Sequence, residues 1–302
     1  MKKIAVLMIL LAAVLTALPG NADAASLKMK KLKAGKTYKI DLNGGKKEKV
    51  KYTVKEVNES TQRFKLYVNG KVVFKKDIDD WSLISSVKTV DFIKKDKYTE
   101  IFVDVAGSYS NWWFFVLRYV SPKKVVACTK FTNVKGKMCP LNTSRTDSGK
   151  YKNTGKNKLY VQSETPFYNS NFGCYYILAP VKLKSGKIKA VTESKYKLTN
   201  VSNYAPAYFG GKYYKLKKEM VLYKSASFKT ELKTLKAGDT FVPTDLKPLA
   251  PESKEMYGST IRRYPLFVKV KASDGTKGWL YFPAWSEDGS GTDYLTAQPS
   301  WG

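Results

Sequence analysis

The 302-residue chain predicts an all-β fold: propeller-like or sandwich-like sheets over residues 25–212 and a small barrel over 213–302. Three observations carry that reading. Apolar and polar residues alternate with period two along most segments, the pattern of strands with one face covered and one wet. Asn-Gly, Ser-Gly and Asp-Gly dipeptides stand between such runs, where tight hairpins need positive φ. No segment beyond residue 25 keeps apolar residues at helical spacing for the roughly 12 residues a helix requires.

The first element is a leader. Lys2 and Lys3 precede an apolar run from Ile4 to Leu18, Pro19-Gly20 breaks it, and Ala22-Asp23-Ala24 supplies small residues at the positions a signal peptidase reads. That run is short against the roughly 20 residues that span a bilayer. Residues 1–24 are therefore expected to be a signal peptide, and the mature protein is expected to be extracellular, either released or wall-associated, and without a membrane span.

Val50, Tyr52 and Val54 share one face of the next strand, with Lys51, Thr53 and Lys55 on the other. Phe64, Leu66 and Val68 lead into Asn69-Gly70, and Val72 and Phe74 follow. Ile101, Val103 and Val105 form another face. Trp112 to Leu117 is apolar on both faces, which predicts a central strand. Leu159-Tyr160-Val161, Tyr175 to Leu178, and Val181–Leu183 with Ile188–Ala190 around Ser185-Gly186 continue the rhythm. It breaks at Asn200–Gly211, a Pro-, Gly- and Asn-rich linker.

Lys and Arg number 54 against 25 Asp and Glu, a formal charge of +29, or about +28 for the mature chain. Such a charge favours polyanions. Arg63, Arg118, Arg145, Arg262 and Arg263 are the only arginines, so the residue that reads phosphates and guanine edges bidentately is scarce and nucleic acid is disfavoured. An exported Lys-rich chain fits an anionic wall polymer, teichoic acid or peptidoglycan; equally, the lysines could simply solvate the outward strand faces.

There is no His, which removes Ser-His and Cys-His dyads and the commonest zinc ligand. Asp79, Asp80, Glu100, Asp104 and Glu164 are the carboxylates left for acid–base work. Adjacent Asp79 and Asp80 would point to opposite faces of a strand. Cys128 and Cys139 flank a short hairpin turning near Lys135-Gly136, and two Cys at the mouth of a hairpin can reach bridging distance. A Cys128–Cys139 disulfide is expected, with Cys174 an unpaired core thiol.

Asp41-Leu-Asn-Gly-Gly-Lys-Lys-Glu-Lys-Val50 and Asp91-Phe-Ile-Lys-Lys-Asp-Lys-Tyr-Thr-Glu-Ile101 both read as Asp, Lys-rich turn, Glu, strand. These resemble the aspartate-loop repeats of FG-GAP and VCBS proteins over residues 26–134. The resemblance implies blade-like modules and a calcium-binding loop. Asn43 and Lys94-Lys95 depart from the ligand pattern, and calcium requires oxygen ligands, so no metal and no cofactor are expected.

After Gly211 come Met220–Tyr223, a polar loop, Leu235-Lys-Ala-Gly-Asp-Thr-Phe-Val242, a long insert from Thr244 to Tyr264, Phe267–Lys271, Ser273-Asp-Gly275 and Gly278-Trp-Leu-Tyr-Phe282. Over residues 215–284 this order resembles the bacterial SH3-like domain. The resemblance implies an independently folded barrel that binds peptidoglycan stem peptides or bridges, or packs on a neighbour. Matched to this chain, Tyr223, Phe228 and Tyr281 would line its groove with Trp279 nearby; each could instead be barrel core. The leading expectation is thus an exported, non-catalytic wall-binding protein. The alternatives are a wall-modifying enzyme with its catalytic part in residues 25–212, and a binder acting by charge alone.

Overall fold

The computed structural model describes residues 29–79, 82–106, 112–127, 151–164, 167–172, 175–199, 214–287 and 293–296. The expected leader, Cys128, Cys139, Cys174, Asp80, Arg145 and the expected 200–211 linker lie outside the described residues. Among the described residues, every regular element is a β-strand and no helix occurs.

The strands β1 (Lys30–Leu32), β2 (Tyr38–Ile40), β3 (Glu48–Asn58), β4 (Thr61–Val68) and β5 (Lys71–Ile78) open the chain. The next four are β6 (Leu83–Val90), β7 (Glu100–Ala106), β8 (Trp112–Ser121) and β9 (Lys124–Ala127). They form a four-stranded sheet β2-β3-β4-β5 and a five-stranded sheet β1-β6-β7-β8-β9. Val50, Tyr52, Phe64 and Leu66 of the first pack against Val87, Ile101, Val103, Phe115 and Leu117 of the second. Two sheets face to face over one core make a sandwich, so of the two arrangements the sequence leaves open this one forms. The Asn69-Gly70 turn joining β4 to β5 has φ of 51° and 82°, as a two-residue hairpin demands.

The five-stranded sheet is buried on both sides, as the doubly apolar Trp112–Leu117 run predicts. Phe115 and Leu117 face the sandwich core, while Phe114 and Val116 enter a second core. That core continues through β10 (Tyr151–Asn153), β11 (Leu159–Glu164), β12 (Tyr176–Lys184) and β13 (Lys187–Ala190), which form a four-stranded sheet. Leu159, Val161, Ile177 and Val181 supply its inward residues.

The same core runs on into the C-terminal sheet. Its strands are β14 (Tyr196–Lys197), β15 (Tyr214–Lys215), β16 (Met220–Tyr223), β17 (Glu231–Leu235), β18 (Thr240–Pro248), β21 (Leu266–Ala272) and β22 (Lys277–Phe282). They are ordered β14-β18-β21-β22-β16-β17, with β15 also on β18. A closed barrel was the expectation, but the sheet is open. The β18 edge is occupied by β14 and β15, and the long insert folds away as its own hairpin, β19 (Glu252–Met256) with β20 (Ser259–Arg263).

The C-terminal sheet is also anchored to residues upstream of 212. Asn169, fully buried, donates through Nδ2 to the carbonyls of Tyr264 at 2.7 Å and Pro283 at 3.0 Å. Its Oδ1 accepts from the Asn171 and Phe172 amides. Asn171 donates to the carbonyls of Pro283 and Trp285. Two buried amides thereby satisfy backbone groups that no strand partner reaches.

Candidate functional site: an aromatic patch on the C-terminal sheet

Strand alternation splits the C-terminal sheet into two faces. Leu280 and Phe282 of β22, with Leu266, Val268 and Val270 of β21, enter the large core. Trp279, Tyr281 and Phe267 take the opposite face and gather with Ala226, Tyr223 and Leu249 into a separate cluster. Cross-strand register brings them together: Tyr223 pairs with Trp279, and Phe267 with Tyr281.

Phe228 joins them from the loop after β16. That loop is held by Lys224 N–H donating to the Thr230 carbonyl at 2.8 Å. The Lys247 ammonium donates to the Ala226 carbonyl at 3.0 Å. The Phe228 ring lies 4.9 Å from Tyr281, 5.0 Å from Phe267 and 5.5 Å from Tyr223, in tilted and edge-on contacts, the geometry aromatic quadrupoles favour. It nonetheless remains 57% exposed. Trp279, at 5% exposed, is covered by Lys195, whose Nζ sits 5.0 Å from the ring centroid. Burial pushes the Tyr281 hydroxyl above its ordinary pKa, with a smaller push from Glu252.

All four residues singled out from the sequence therefore meet. Tyr223, Phe228 and Tyr281 form a half-open rim over the buried ring of Phe267, and the buried Trp279 belongs to the same cluster. Sequence reasoning missed Phe267, although its place two residues before Lys269 puts it on the outward parity of β21. It also missed Lys195 and Lys247, whose proximity depends on β14 pairing with β18 and β18 with β21, and no local pattern announces that.

The carboxylates considered for acid–base work are placed differently. Glu100 is fully buried and accepts from Arg118 Nε at 2.8 Å and from the Phe92 amide. Arg118 also binds Asp96 at 3.0 Å and stacks on Tyr98 at 4.4 Å. Burial pushes the Glu100 carboxyl up to about 7 against the opposing pull of Arg118. Asp104, 1% exposed, accepts from the Ser86 hydroxyl and from Lys88 at 2.9 Å. Asp79 is exposed and takes the Thr61 hydroxyl at 3.1 Å. Glu164 ends β11, in register with Tyr176 of β12.

The two aspartate loops share one hydrogen bond, from the amide of the residue after the Asp to the Glu carboxylate. In the first, Asp41 Oδ1 accepts from the amides of Asn43, Gly44 and Gly45, and Glu48 Oε2 accepts from the Leu42 amide at 3.0 Å. In the second, Glu100 Oε2 takes the Phe92 amide in the same way. Leu42 and Phe92, each following its Asp, are fully buried. The loops touch: the Thr99 amide donates to the Leu42 carbonyl, and a Cβ on Gly44 would lie 2.5 Å from that of Lys97. Asp41, Glu48 and Glu100 accept from backbone amides, Glu100 and Asp96 also bind Arg118, and no cluster of metal-ligating side chains occurs among the described residues.

No protein-family model, curated protein or solved structure matches the chain.

Proposed function

We propose that the protein is exported and binds a wall polymer, peptidoglycan being the first candidate, without carrying out chemistry on it. The observation that supports this reading most directly is the exposed Phe228 over Tyr223, Phe267 and Tyr281. A soluble fold gains nothing from leaving that ring over half exposed at the centre of an aromatic cluster, whereas a binding face gains a rigid contact of low entropy cost. The C–H-rich face of a saccharide ring, or an apolar side chain of a stem peptide, suits such a surface. The surrounding lysines, Lys195 and Lys247, suit an acidic polymer. The leader-like N-terminus and the absence of His from the sequence agree with secretion and with binding rather than hydrolysis.

The test is sedimentation of the mature protein with purified sacculi, comparing wild type with Phe228→Ala. Phe228 is exposed enough for the fold to tolerate the change. The expected result is at least a tenfold loss of retention, about 1.4 kcal/mol. Equal retention by both proteins would overturn the assignment of the patch.

A further inference from the structure

On the outer face of the sheet β2-β3-β4-β5, register sets cations directly opposite cations. Lys39 pairs with Lys49 across β2 and β3. Lys55 pairs with Arg63 across β3 and β4, and Lys65 with Lys75 across β4 and β5. Lys51 completes the face, its Nζ 4.9 Å from the ring centroid of its cross-strand neighbour Tyr67. The opposite faces of the same strands carry Val50, Tyr52, Phe64 and Leu66 into the sandwich core, so the lysines are held outward by the strands' own period. One ion pair relieves this face among the described residues, Arg63 with Asp77, whose Nε and Nη2 donate at 2.7 and 2.9 Å.

Like charges directly opposite one another destabilise a sheet. Three such pairs on one face weaken the fold for no packing return. Neighbouring strands stand roughly 4.7–4.9 Å apart and same-face residues roughly 7 Å apart along a strand, so the ammonium groups form a two-dimensional array rather than a pocket. That array suits a flexible chain of regularly spaced anions.

We propose that this face is a second, charge-driven binding site, and that its occupant is a linear polyol phosphate of the wall type, a chain of phosphodiesters without stacked rings. Three features favour that occupant. The cations are six lysines and one arginine, compact point charges that take single phosphates without the bidentate fork that reads nucleic acid. The face's one ring, Tyr67, is already covered by Lys51, which leaves no platform on which bases could stack. A ring-free polymer needs none. The inference rests on the reading of the protein as exported, since such polymers lie outside the cytoplasmic membrane. It is separate from the aromatic patch, which lies on a different sheet.

The experiment uses the full mature protein and poly(glycerol phosphate) as the probe, with binding measured across a salt series. Lys55→Gln/Lys65→Gln/Lys75→Gln is expected to weaken binding at least tenfold near 0.1 M salt. It should also flatten the slope of log affinity against log salt by about 2, at about 0.7 per contact on a flexible single strand. Its melting temperature should equal or exceed that of wild type, because two like-charge pairs are gone. Asp77→Asn, which frees Arg63, should bind more tightly, and Phe228→Ala should bind the probe as wild type does. If the triple variant binds within twofold of wild type, the face is not the site. If a single-stranded DNA of equal phosphate number binds wild type as tightly as the probe does, the assigned occupant is wrong. Failure of the aromatic patch would show in the sacculus experiment with Phe228→Ala, so the two readings fall separately.

Discussion

Glu100 illustrates how the fold sets the chemistry of a single side chain. In sequence it stands before a β-branched strand, as the Glu of an aspartate loop and as one of several scattered carboxylates. In the fold it is sealed between Arg118 and the Phe92 amide. Its carboxyl, pushed from 4.5 up to about 7 by burial, ionises later in the folded chain than in the unfolded one. Stability from this group is therefore complete below about pH 4.5 and is lost as pH rises through 7. Denaturant midpoints should fall between pH 5 and pH 8, by a free energy on the order of 3 kcal/mol at most, and Glu100→Gln should flatten that fall. Parallel profiles for the two proteins would mean another group sets the pH dependence. Asn169 acts through hydrogen bonds instead. Asn169→Ala strands the Tyr264 carbonyl and the Asn171 and Phe172 amides inside the protein, while the Pro283 carbonyl keeps Asn171, at a cost of about 2–4 kcal/mol, readable as a lowered urea midpoint. The local sequence does not mark Asn169 as an anchor, because the carbonyls it holds are about a hundred positions away.

Most strands were legible because apolar residues recur at every second position, whether the other face is largely wet, as in β3 and β4, or also buried, as in β7. Alternation places β3, β4, β7, β11 and β12, and the Asn-Gly and Ser-Gly turns fall where φ is positive, at 51° and 82° and at 51° and 70°. The hairpin β19–β20 was not legible. Both its faces are largely exposed, so no apolar rhythm marks it, and it read as an insert. Its turn is Tyr257-Gly258, with φ of 52° and 73°. The barrel expected at the C-terminus fails for a related reason: β14 lies before the predicted linker, and its pairing with β18 is a long-range fact. Gly278 stands where a side chain has no room. A Cβ there would meet Leu222 Cγ at 2.6 Å and the Tyr223 carbonyl at 2.8 Å, because β16 crosses β22 at that point. Gly278→Ala should cost about 1–3 kcal/mol. It should also disturb Tyr223, so wall binding and thermal midpoint should fall together; an unchanged midpoint would contradict the close crossing.

At the scale of the whole molecule, one core joins the five-stranded sheet, the third sheet and the C-terminal sheet. Two outward faces remain with distinct chemistry, one aromatic and one cationic. The aromatic residues were legible because each sits on a strand or turn of recognisable order. Their convergence was not, since it needs the register of β16 on β22 and of β21 on β22. The cationic face was visible only as an excess of lysine until the register set lysine opposite lysine.

Charge and aromatic contact separate cleanly with salt, because ammonium–anion attraction is screened over about 10 Å at 0.1 M and over far less at higher salt, while ring contacts are not. The most direct measurement is therefore retention of the mature protein on purified sacculi as salt is raised to about 0.5 M, for wild type and Phe228→Ala side by side. The account predicts that wild type keeps a salt-resistant bound fraction and that Phe228→Ala loses it. Retention that vanishes with salt in wild type, or that persists equally in Phe228→Ala, would contradict binding through the aromatic patch.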